Sequence, residues 1–99
     1  MRKEDFQEWL STRIKKKPTL DCMSRCKSVE TALQIDLDAE YAFDKGKRVL
    51  SQMQYSIADE REKKDAPAGF HFKDNANVRY RMTNLRSAVN KYFEFCKEN

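Results

Sequence analysis

From about Ala76 to Lys97 the chain places Val78, Met82, Leu85, Val89, Tyr92 and Cys96 at alternating steps of four and three. No glycine or proline interrupts them. At about 100° per residue, only an α-helix brings that spacing onto one face. Ala88, Phe93 and Phe95 widen the stripe. The sequence therefore predicts a long C-terminal helix with a broad apolar face that must be buried against other elements. With 99 residues in total, the remainder is one small domain packed on that spine. Two glycines and two prolines are few for an all-β chain, which needs many turns. The expected fold is all-α: a single small bundle of four to five helices.

The other elements read from the same spacing. Phe6, Trp9 and Leu10 form an apolar stripe in a first helix, Glu4 to about Lys16, which Pro18 is expected to end. Thr19 is placed as the N-cap of a second helix, with Asp21 in its first turn. A short helical turn follows Asp36, and a helix from about Lys45 to Gln54 takes Asp44 as its N-cap and Val49, Leu50 and Met53 as its inner face. Ser56 to Asp59, "SIAD", fits a capping box that opens a short polar helix to about Lys64. Lys63 to Asn75 is the clear loop, punctuated by Pro67 and Gly69, with Phe70 and Phe72 expected to pin it onto the core.

Two of the three cysteines, Cys22 and Cys26, share a helix face with Val29 and Leu33. That is the core face, and a free cysteine packs as a small apolar side chain. A zinc site would need two further ligands at suitable spacing, and the single histidine, His71, lies in the loop. Packing is the reading, with no metal and no cofactor expected. Three cysteines cannot all pair, and no apolar run reaches membrane length, so a reducing cytoplasm is expected, with no membrane partner. The chain carries no glycine-rich phosphate loop, no GxSxG and no HExxH. Asp36, Asp38 and Glu40 read as a helix start rather than a cation cluster. A non-enzymatic role with no small-molecule substrate follows as the expectation.

The net charge of +4 permits an acidic partner without demanding one. On the last helix, Arg79, Thr83, Arg86 and Asn90 fall on one acid-poor flank. On the second, Ser24, Lys27 and Thr31 share one side opposite the cysteines, with Ser28 close by, and Lys15, Lys16 and Lys17 stand just before it. These are residue types that touch phosphates and base edges. Arg86 and Lys27 both lie off the core stripes, so each is expected to serve contact rather than stability.

"MTNLRSAVNKYFEFCKEN" resembles the final helix of the N-terminal core-binding domain of tyrosine recombinases, the phage integrases. "DFQEWLSTRIKKKPTLDCMSRCKSV" is similar to that family's opening: an aromatic-x-x-aromatic-Leu helix, a basic linker, and a Thr starting the second helix. The middle, "IDLDAEYAFDKGKRVLSQMQYSIADEREKKDAP", departs from it and looks like helical modules attached to bacterial restriction or mobile-element proteins. The resemblance implies a DNA-clamping arm without the recombinase catalytic domain. It implies DNA contact through Thr19, Ser24 and Lys27 on one helix and Thr83, Arg86 and Asn90 on another. The expectation is a non-catalytic module clamping double-stranded DNA, as an N-terminal piece of a larger protein bearing a catalytic domain. The alternative is a phage or mobile-element adaptor that docks on a protein partner.

Overall fold

The computed structural model describes residues 1–73 and 76–99. Among them it shows six helices and no strand: α1 Lys3–Ser11, α2 Lys16–Leu33, α3 Leu37–Asp44, α4 Lys47–Ser51, α5 Ile57–Arg61 and α6 Val78–Glu98. The all-α bundle with a long C-terminal helix is what the spacing predicted. The sixth helix arises because the turn expected after Asp36 continues for two turns as α3. The loop expected over Lys63–Asn75 is irregular where described, and its last two residues, Asp74 and Asn75, lie outside the described residues.

α6 is the spine. Met82, Val89 and Tyr92 are fully buried, and Ala88, Phe93 and Phe95 are nearly so. Phe6 from α1 sits among α6 aromatics, edge-on to Tyr92 with ring centroids 4.8 Å apart and tilted against Phe95 at 5.5 Å. From α2, Cys22, Cys26 and Val29 enter the same core. Both cysteines are free and buried, and their thiols donate to the Ala88 carbonyl at 3.8 and 3.3 Å. The neighbouring Cys22 thiol, reinforced by burial, holds the Cys26 thiol far above its ordinary pKa. Among the described residues no group of three or more His, Cys, Asp or Glu is placed to hold a metal ion.

Several helix boundaries differ from expectation: α4 spans only Lys47–Ser51 instead of Lys45–Gln54, because Lys45 and Gly46 take positive φ, and α5 ends at Arg61 rather than near Lys64. α1 stops at Ser11, where the Ser11 and Thr12 hydroxyls donate to the carbonyls of Gln7 and Trp9 and compete with the backbone ladder. α2 begins at Lys16, so Pro18 lies in its first turn rather than ending α1. A proline is tolerated there because the first four helix N–H groups have no intrahelical partner. Thr19 is consequently not a cap. It lies inside α2, only 2% exposed, and its hydroxyl and N–H both donate to the Lys15 carbonyl. Asp21 falls beyond the first turn, which holds no acid.

Asp44 ends α3 and is not the residue capping α4; Gly46 takes that place with φ +82°. The Asp44 carboxylate still accepts from the N–H groups of Gly46 and Arg48, satisfying donors at the start of α4. A side chain at Gly46 would collide with the Phe93 ring, so glycine lets the α3–α4 corner close onto α6. At α5 the expected capping box is present: Ser56 Oγ accepts from the Asp59 N–H, and the Asp59 carboxylate accepts from the Ser56 N–H.

Candidate functional site

The two strips expected to act together lie on opposite flanks of α6. The Arg79 flank faces α4 and α5. Arg79 forms an ion pair with Glu60 of α5. Arg86 donates to the Met53 carbonyl at 3.0 Å, just past α4, and weakly to Thr83 Oγ1 at 3.4 Å. Thr83 turns its own hydroxyl proton to the Arg79 carbonyl at 2.8 Å. Asn90 is exposed on the same flank. Arg86 thus ties the chain just past α4 to the spine, a structural contact that its place off the core stripe did not predict.

The opposite flank of α6 faces α2 across a groove of about 1020 Å³. The α2 wall carries Ser24, Arg25, Lys27, Ser28 and Thr31. The α6 wall carries Asn77, Tyr80, Arg81 and Asn84. His71 and Phe72 close one end. Gly69, at φ +92°, brings this loop against the Ala32 carbonyl so closely that any Cβ would collide with it. Phe70 is then buried, Phe72 half-buried and His71 exposed. The Arg81 guanidinium lies over the Phe72 ring, 5.8 Å from its centroid.

Charge is what sets this groove apart. No carboxylate lines it among the described residues. Arg25, Lys27 and Arg81 form no ion pair with a described carboxylate, whereas Arg2, Arg13, Arg48 and Arg79 each do. Arg25 on α2 and Lys91 on α6 both act by charge on the Cys22 thiol, and Glu30 acts on Cys26 one turn further on. Toward the start of α2 the exposed Asp21 is the one acid on that stretch. Lys15, Lys16 and Lys17 then gather at the positive end of the helix dipole with no acid in the first turn. That placement costs helix stability and strengthens the field for an anion.

Of the residues singled out by sequence, Ser24, Lys27, Ser28 and Thr31 line the groove, and Lys15, Lys16 and Lys17 are exposed at the far end of the same helix. Arg79, Thr83, Arg86 and Asn90 face away from it. Thr19 is buried and unavailable to any partner. Sequence reasoning missed Arg25, His71, Tyr80, Arg81 and Asn84. A signal existed for the α6 members, since Asn77, Tyr80, Arg81 and Asn84 fall on a second acid-poor flank at helical spacing.

Comparison of the chain with models of protein families, with characterised proteins and with solved structures gave no match. No helix among the described residues is long and apolar enough to cross a membrane.

Proposed function

We propose that this chain is a non-catalytic nucleic-acid-binding module that holds the phosphate backbone along the α2–α6 seam. The observation that carries this reading is the groove: cations from two helices face each other with no described carboxylate between them. Fixed on rigid helices, Arg25, Lys27 and Arg81 meet a phosphate chain at low conformational cost, with Ser24, Ser28, Thr31 and Asn84 as further hydrogen-bonding groups. The lysines at the start of α2, a helix of 18 residues and therefore about 27 Å long, extend the track. A clamp around duplex DNA from the Arg79 flank has no such support, because its arginines are committed to Glu60 and Met53.

The test is equilibrium binding of short DNA, duplex and single-stranded, across a range of salt. Affinity should fall steeply as salt rises, because each neutralised phosphate releases a counterion. Arg25→Ala and Lys27→Ala should each reduce the slope of log K against log salt by about one unit. No binding of either DNA form at low salt, or binding indifferent to salt, would reject the proposal and favour docking on a protein through apolar contact.

A further inference from the structure

Resting on that reading, we infer that the groove accepts a single strand and that Tyr80 is the platform on which one of its bases stacks. Tyr80 is 66% exposed, a large aromatic side chain on a helix wall with no partner ring among the described residues. Phe43 is as exposed, but it lies outside this groove with Arg48 over its ring, whereas the Tyr80 ring stands open on the groove wall. Its neighbours explain the choice of ligand. Arg81 follows it in sequence, Arg25 and Lys27 stand on the facing wall, and His71 and Phe72 close the end. Cations that follow a phosphate chain beside an aromatic face are the working parts of single-strand recognition.

The shape of the groove separates single strand from duplex. Its volume of about 1020 Å³ is at the upper limit of small-ligand sites, which span about 300–1,000 Å³. Several nucleotide groups fit it, but a duplex, with its bases stacked inside, can offer only its backbone to the rim. In a single strand the bases are free to turn onto Tyr80 while the phosphates lie against Arg25, Lys27 and Arg81. Stacking is indifferent to base identity, so the groove should show little sequence preference.

The experiment is fluorescence anisotropy with a labelled oligo(dT) of about twelve nucleotides, within the range of known single-strand sites. A duplex of the same length and polyglutamate are the comparison probes. The single strand should bind more tightly than the duplex. Tyr80→Ala should weaken the single strand by about 5- to 150-fold, leave the duplex nearly unchanged, and keep the urea midpoint of the parent. Tyr80→Phe, which keeps the ring, should retain most of the affinity. Duplex binding as tight as single-strand binding would overturn the inference, as would an unchanged single-strand affinity in Tyr80→Ala. Polyglutamate bound as tightly as the oligonucleotide would also overturn it, by reducing the groove to simple ion exchange. If Tyr80→Ala has no effect while Arg25→Ala still flattens the salt slope, base stacking fails and backbone binding stands. If no DNA binds at all, both fail together.

Discussion

The two flanks of α6 carry the same kinds of residue and do different work. One presents Arg79, Thr83 and Arg86, the other Tyr80, Arg81 and Asn84. Adjacent positions 79 and 80 differ by about 100° around the helix, enough to send them to different neighbours. On the first flank the guanidinium groups meet Glu60 and the Met53 carbonyl and knit α4 and α5 to the spine. On the second they meet no described carboxylate, and Arg81 rests only over the Phe72 ring. An arginine's availability is decided by what lies across from it rather than by its place on a helical wheel.

Both flanks stand on one core, so the largest effect should come from beneath them. Phe6 is fully buried and touches the rings of Trp9, Tyr92 and Phe95. Phe6→Ala should cost about 3–5 kcal/mol in urea unfolding. A loss below about 0.5 kcal/mol, typical of surface sites, would break the shared-core picture.

Alkaline pH should loosen the same core. The Cys26 thiol is raised by the neighbouring Cys22 thiol and by burial, and the Tyr92 hydroxyl by burial and by its bond to Asp38. Both groups fold in their neutral forms, with folded pKa values above the unfolded ones. Their stabilisation is therefore complete below the unfolded values of about 8.5 and about 10, and is lost as pH rises above them toward the folded values. The Cys22 thiol is shifted down by its pairing with Cys26 and offsets part of the Cys26 contribution. Urea midpoints measured in reductant should therefore fall mainly at the upper end of the range from pH 8 to pH 11, and Tyr92→Phe should shrink that fall. A flat profile would contradict the burial of both groups.

Smaller effects should then separate the flanks. Arg86→Ala leaves the Met53 carbonyl without its partner, a loss of about 1–3 kcal/mol. Arg79 and Glu60 are both more than two-fifths exposed, so Glu60→Gln should cost no more than about 1 kcal/mol. If Glu60→Gln proves more damaging than Arg86→Ala, the ranking of the two ties is wrong.

The legible part of this molecule was the part governed by local spacing. The stripe on α6, the cysteine face of α2 and the Ser56–Asp59 capping box all depend on residues within a few turns of each other and are present, although Val78 and Leu85 on α6 and Leu33 on α2 are only half-buried and Leu85 lines the groove. Helix starts were less legible. Pro18 is equally at home after one helix or inside the first turn of the next, and Thr19 has the chemistry of a cap although the chain buries it. The candidate site was the least legible. Arg79 and its partner Glu60 are 19 positions apart, and Arg86 and Met53 are 33 apart. No helical wheel shows those contacts, so the occupied flank looked as free as the open one. The groove itself depends on Gly69 bringing a loop against α2, a long-range approach with no periodic signature.

On the proposed reading, the α2-facing flank of α6 binds and the α4-facing flank holds the fold together. Arg81→Ala and Arg86→Ala, compared in the same oligonucleotide titration and the same urea melt, test it most directly. Arg81→Ala should weaken DNA binding and lower the salt slope by about one unit, with stability changed by no more than about 0.5 kcal/mol. Arg86→Ala should lower the urea midpoint and leave the slope as it was. The reverse result, with the slope flattened by Arg86→Ala and untouched by Arg81→Ala, would place the binding surface on the other side of the helix and contradict the account.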